Sequence, residues 1–202
     1  LRVPVHPAPV SRPTQTKPAY DFADVRSGAW YYGDVMYAAE NGLMNGTSGS
    51  TFSPLENLTR AQLTAVLYRM DGSPAVSGTC SFTDAKRGAY YADALVWAER
   101  NALVNGYGSG AFGVGDAITR EQLVTILYRY AAYKGIDVSA RADLSGYRDA
   151  EKISGYARDA FGWAVEAGLI RGSGDLLNPQ GRTTRAEYAA IAARFHKTFI
   201  AK

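Results

Sequence analysis

The chain predicts an all-α fold built from three copies of one helix-loop-helix unit. Three observations carry this. An arginine motif recurs as LTRAQ (58–62), ITREQ (118–122) and TTRAE (183–187). In each copy a Phe/Tyr-x-Asp precedes it, and that Asp lies 35 residues before the motif Thr: Asp24 to Thr59, Asp84 to Thr119, Asp149 to Thr184. After each motif come apolar residues at i, i+3, i+4 and i+7.

The elements follow in order. Residues 1–19 hold five of the eight prolines, a density that resists helix and favours extended chain, so this segment reads as a linker from an upstream domain. The chain opens at Leu1 with no initiator Met or signal-like stretch, which predicts a piece of something longer. The first unit spans 20–79. Its WYYGDVMYAAEN has helix formers with apolar residues on one face, and Gly42 stands where a left-handed C-cap belongs. Its second helix carries the stripe Leu63, Val66, Leu67 and Met70. The second unit, 80–145, repeats this with Leu123, Ile126, Leu127 and Tyr130, and the third, 146–202, with Tyr188, Ile191, Ala192 and Phe195. A pair of short amphipathic helices buries little alone, so the copies are expected to pack on one another.

Composition bounds the function. Formal net charge is +3, and Arg2, Arg12 and Lys17 carry all of it, so the repeats themselves are balanced. That argues against a nucleic-acid module, and no apolar run approaches the length of a membrane span. One cysteine excludes an intrachain disulfide, and two histidines leave no metal-ligand cluster of usual spacing. Cys80 and His196 read as packing residues, and Trp97 and Trp163, mid-helix, as core. HExxH, G-x-S-x-G and P-loop motifs are absent, so neither an enzyme nor a cofactor is expected in this segment.

Each Thr fits a helix N-cap, and Gln62, Gln122 or Glu187 three residues on completes a capping box. The cap does not explain the Arg. At the first helical position a cation meets the positive end of the macrodipole. Two readings remain: an ion pair with a nearby acid, or an anion site made by Arg60, Arg120 and Arg185 beside free helix N–H groups. The recurrence of the Arg favours the second.

These motifs together resemble the S-layer homology family. FADV, WYY, NGLMNGT, FSP and LTRAQ stand in the first copy; FTDA, YYADAL, ALVNGY, Phe112 without a following Pro, and ITREQ in the second; YRDA, GLIRGS, LNP and TTRAE in the third. The resemblance covers residues 20–202. It implies a pseudo-threefold spindle with a central helical core and three prongs, and non-covalent anchoring of an exported protein to a bacterial cell wall. It further implies a secondary cell-wall polysaccharide carrying pyruvate ketals as the ligand, with polyamine-modified peptidoglycan as the alternative. A helical-repeat scaffold for another protein is the reading outside the family.

Carried over by position, the implied ligand-binding residues are Asp24, Trp30, Gly46 and Arg60; Asp84, Tyr90, Gly106, Tyr107 and Arg120; and Asp149, Gly172 and Arg185. Trp30 has two readings, a sugar platform or a core residue. Gly155 stands where Trp30 and Tyr90 stand, which argues against a third site and gives Arg185 a structural role. Gln62 and Gln122 replace the usual Glu, which leaves Arg60 and Arg120 freer for an outside anion and predicts tighter binding in copies one and two.

Overall fold

A computed structural model describes residues 20–201; the proline-rich segment 1–19 lies outside them. Six α-helices form: α1 (Tyr32–Glu40), α2 (Arg60–Met70), α3 (Ala92–Arg100), α4 (Arg120–Tyr133), α5 (Arg158–Glu166) and α6 (Arg185–Phe195). Two 3-10 turns, Ala150–Lys152 and Gly155–Ala157, precede α5, and a π-turn, His196–Ile200, follows α6. Among the described residues there is no strand, only isolated bridges. The fold is all-α.

The even-numbered helices start where the Thr-Arg motif places them. Thr59, Thr119 and Thr184 each accept a hydrogen bond from the backbone N–H of the residue three on. The side chains of Gln62, Gln122 and Glu187 accept one in return. Such a box contributes about 0.5–2 kcal/mol to its helix. The first helix of each unit ends with a left-handed residue: Gly42 and Gly168 at φ +67°, and Ala102 at φ +53° in the second copy.

Helix pairs form between copies, not within them. α2 packs on α3, α4 on α5, and α6 returns to α1. The burial pattern explains the choice. In α1 only Val35, Ala38 and Ala39 are buried, one stripe against one neighbour. In α2 eight of eleven residues are buried and in α6 nine of eleven, so these two helices are covered on most of their faces. The predicted stripes all fall in the core, from Leu63 and Leu127 to Tyr188 and Phe195. Trp97 and Trp163 are core residues as well.

Backbone hydrogen bonds close the three copies into a cycle at the residue before each cap. Leu58 N–H donates to the Thr183 carbonyl (2.8 Å), Thr183 N–H to Ile118 (3.1 Å), and Ile118 N–H to Leu58 (2.9 Å). The helix starts are tied in the opposite sense. Arg60 N–H donates to Asp116 O (3.0 Å), Arg120 N–H to Gly181 O (2.9 Å) and Arg185 N–H to Glu56 O (2.9 Å). The expectation of free N–H groups beside the arginines is therefore corrected: the next copy's loop takes the first of them and the Thr cap takes the third.

Candidate functional site: three inter-repeat grooves

The loop after the odd helices is shaped by a close approach. At Gly46 a Cβ would lie 2.5 Å from Thr51 O and 2.8 Å from Phe22 Cε1. At Gly106 it would lie 2.8 Å from Ala111 O and 2.9 Å from Phe82 Cε1, and at Gly172 2.8 Å from Tyr147 Cε1. The aromatic of each Phe/Tyr-x-Asp thus rests on a glycine Cα, which only glycine permits. The Asp completes the loop. Asp24 accepts from Phe52 N–H and Ser53 N–H (2.8 and 2.7 Å), and Asp149 from Leu177 N–H and Asn178 N–H (2.8 and 2.7 Å). Asp84 accepts from Phe112, Gly113 and Val114 N–H at 2.7–2.9 Å. Burial pushes the carboxyls of Asp84 and Asp149 up, but these amides outweigh it and hold both below the usual carboxylate range. Asp24, Asp84 and Asp149 do not line the grooves described next; their carboxylates are turned into their own loops.

Each loop so held offers carbonyls to the motif arginine of another copy. Arg60 Nε donates to Phe112 O (2.8 Å) and its Nη2 to Asn105 O (2.9 Å). Arg120 Nε donates to Leu177 O (2.8 Å) and its Nη2 to Arg171 O (3.4 Å). Arg185 Nε donates to Phe52 O (2.8 Å) and its Nη2 to Asn45 O (2.9 Å). Neither sequence reading was complete. The arginines pair with carbonyls rather than carboxylates, which secures one copy to the next. The Nη1 of all three has no partner among the described residues. Burial pushes each of these guanidinium groups down from its usual value, yet arginine stays charged in proteins.

Three grooves of about 270–410 Å³ repeat one lining. The first joins Gly46, Gln62 and Arg69 to Tyr90 of the second copy and Arg185 of the third. The second joins Gly106, Tyr107, Gln122 and Arg129 to Tyr156 of the third copy and Arg60 of the first. The third joins Gly172, Glu187 and Arg194 to Trp30 of the first copy and Arg120 of the second. Every groove therefore draws on all three copies. The sets read by position are redistributed: Trp30 faces Arg120, not Arg60, and Tyr90 faces Arg185, not Arg120.

Two corrections follow. The aromatic of the third copy is Tyr156, one residue beyond Gly155, because this copy has gained a residue between Asp149 and Gly172. Arg185 also belongs to a groove. Trp30, Tyr90 and Tyr156 are 66%, 62% and 58% exposed, which settles Trp30 as a surface residue. Tyr31 and Tyr91 buttress the first two edge-on, with ring centroids 5.3 and 5.1 Å away. The third copy has Ala157 there. The Tyr156 hydroxyl instead donates to the buried carboxylate of Glu121 (3.0 Å), which also accepts from Ser154 N–H and Oγ–H. Burial first, then this carboxylate, raises the Tyr156 phenol to about 12.

A second arginine row is legible in the sequence, but sequence reading assigned it no role in the site. Arg69, Arg129 and Arg194 stand ten residues past each motif Thr, a recurrence visible in the sequence that pointed to them. Arg69 donates to Leu43 O (3.2 Å) and Arg194 to Leu169 O (2.7 Å), beneath the glycine loops. None of the six groove arginines just named lies within ion-pair distance of a carboxylate among the described residues. The neighbour of each motif arginine also differs from expectation. Gln62 and Gln122 share grooves with Arg185 and Arg60, whereas Arg120 shares one with Glu187, whose charge it feels.

Three copies of a two-helix unit, closed cyclically and sharing composite grooves, define a cyclic tandem-repeat domain. The S-layer homology domain profile matches residues 21–64, 81–124 and 146–189, so the chain belongs to the S-layer homology domain family. Its relatives include an endoglucanase of Bacillus sp. (strain KSM-635), 32% identical over 86% of this chain and 18% of that protein. The S-layer protein sap of Bacillus anthracis is 27% identical over 88% of this chain and 21% of that protein. A cellulosome-anchoring protein of Acetivibrio thermocellus is 26% identical over 75% and 34%. The chain thus spans about a third of the length of these relatives at most.

Proposed function

We propose that this chain anchors a larger protein non-covalently to the bacterial cell wall, by holding a secondary wall polysaccharide that carries pyruvate ketals. The cell wall or surface is where the family places it. The observation that carries the ligand reading is the shared groove lining: an exposed aromatic face beside two arginines without carboxylate partners. An aromatic ring takes the C–H face of a sugar, and a guanidinium fork takes a carboxylate through paired N–H donors. Polyamine-modified peptidoglycan fits less well, because an amine chain meets arginines in every groove. Relatives named as an endoglucanase and an amylopullulanase support a modular parent, with catalysis in a separate upstream domain. Among the described residues no helix is long and apolar enough to cross a membrane.

The test is retention on purified sacculi before and after chemical removal of the polysaccharide, with calorimetry on a pyruvylated saccharide and its ketal-free form. The triple variant Trp30→Ala/Tyr90→Ala/Tyr156→Ala is expected to lose retention; Ser154 still donates to Glu121 when Tyr156 is gone, and a thermal melt checks that the variant is folded. Equal binding of the two saccharides overturns the carboxylate reading.

A further inference from the structure

Glu121 has no counterpart in the other two copies. Ala61 and Ala186 stand at the same place, second in the helix after the motif arginine, and both are fully buried. Glu121 is buried as well, and a carboxylate so placed has to be met by hydrogen bonds. All its side-chain donors come from one short stretch of the third copy. Oε2 accepts from Ser154 N–H (3.1 Å), and Oε1 from Ser154 Oγ–H and from the Tyr156 hydroxyl (both 3.0 Å). Among the described residues no lysine or arginine lies within ion-pair distance of it.

Joining the copies does not account for this carboxylate. Helix α4 already packs on α5 and on the turn Gly155–Ala157 before it, and alanine serves at the same place in α2 and α6. A buried charge is seldom the more stabilising choice than a well-packed apolar group. What the carboxylate adds is a hold on Tyr156. Trp30 and Tyr90 each lean on a neighbouring ring, whereas Ala157 offers Tyr156 no such wall. An exposed tyrosine without a wall exchanges between rotamers. The tether at the far end of the ring takes the place of the missing wall. It holds the ring in the lining of the second groove, where the phenol feels the charges of Arg60 and Arg129.

We infer that Glu121 is a positioning residue of the second groove: acting through the Tyr156 hydroxyl, it fixes the ring in the pose that receives a sugar face. This rests on the reading of the grooves as saccharide sites. The ordering of that side chain is then complete before binding and is not charged against affinity.

The experiment isolates this groove. In the Trp30→Ala/Tyr90→Ala background only Tyr156 remains as a groove aromatic, and the dissociation constant on purified sacculi is measured by co-sedimentation. Each variant is first checked for folding by a thermal melt. Tyr156→Phe removes a single oxygen and keeps the ring, and it is expected to weaken binding about three- to tenfold, the worth of ordering one such side chain. Glu121→Ala, the residue the other copies carry, is expected to weaken it equally. The double variant is expected to be no weaker than either single one, because both break the same tether. Ser154→Ala takes a hydroxyl from the same carboxylate oxygen but leaves Tyr156 tethered, so affinity is expected to hold. A purely structural Glu121 would move the melting temperature and leave the dissociation constant of the folded protein unchanged.

A readout without sugar is nitration by tetranitromethane, which attacks the phenolate. Burial and then Glu121 raise the Tyr156 phenol to about 12, so its nitration, read by peptide mass spectrometry, is expected to rise several-fold in Glu121→Ala. No rise overturns the tether. Additive losses in the double variant mean that the hydroxyl touches the sugar directly, and they overturn the proposal. So does an unchanged affinity in Tyr156→Phe, which carries the test alone if Glu121→Ala does not fold. Absence of binding in the background variant also overturns it. If retention of the unaltered chain still depends on the three aromatics in any of these cases, this inference alone falls. If retention survives their loss, the groove reading falls with it.

Discussion

Replacing Thr183 with Val is expected to stabilise the domain, although it removes a polar group from the ring that joins the copies. Thr183 is fully buried, and its Oγ1 has no partner among the described residues. Its backbone N–H and carbonyl are both used in the cyclic bonds to Ile118 and Leu58, and those two counterparts are apolar and equally buried. The substitution keeps the shape, leaves the main-chain bonds intact and exchanges an unsatisfied hydroxyl for a methyl. A buried hydroxyl without a hydrogen bond costs about 1–3 kcal/mol, so the expected gain is about 1–2 kcal/mol. For a domain of this size that corresponds to about 3–6 °C in Tm by calorimetry, with urea unfolding as the second measurement. Thr64→Val is the internal control. Thr64 is equally buried, but its hydroxyl donates to Arg60 O (3.0 Å), so its loss is expected to give no gain. An unchanged or lowered Tm for Thr183→Val, or equal gains for both, would refute the account of the ring centre.

Ala102 holds a left-handed position that Gly42 and Gly168 occupy in the other copies, so Ala102→Gly is expected to add about 0.5–1 kcal/mol in the same unfolding assay. Stability is expected to fall in acid through Asp84 and Asp149, whose folded pKa lies below the unfolded one. Their contribution is complete above the unfolded value near about 4 and is lost as pH falls through the folded value. Thermal melts from pH 6 down to pH 2.5 test this, and Asp149→Asn is expected to flatten part of the slope.

What the sequence disclosed was local. Capping boxes, stripes and the Gly42 turn depend on neighbours within a few residues, and each was found where its pattern placed it. The partner of each arginine was not legible, because Arg60 and Asn105, or Arg185 and Asn45, are joined only by the cyclic arrangement. The three Asp residues misled for a related reason. A repeated carboxylate looks the same in sequence whether it faces a ligand or two or three amides of its own loop. Tyr156 was hidden by compensation: the third copy gains a residue before Gly172 and loses one after it, so the 35-residue spacing is kept while the aromatic shifts by one.

The composite grooves also fix how this domain is able to change its copy number. Repeat proteins ordinarily lengthen or shorten by whole units through unequal recombination, because each unit touches only its neighbours and the ends stay open. Here the last copy is the neighbour of the first. Deleting any one unit removes a wall from every groove at once, and inserting a fourth has no open end to extend. The differences among the copies are accordingly local, such as the compensated one-residue gain and loss around Gly172 and Arg171 where the other copies have Asn45 and Asn105, and each alters one groove without opening the ring.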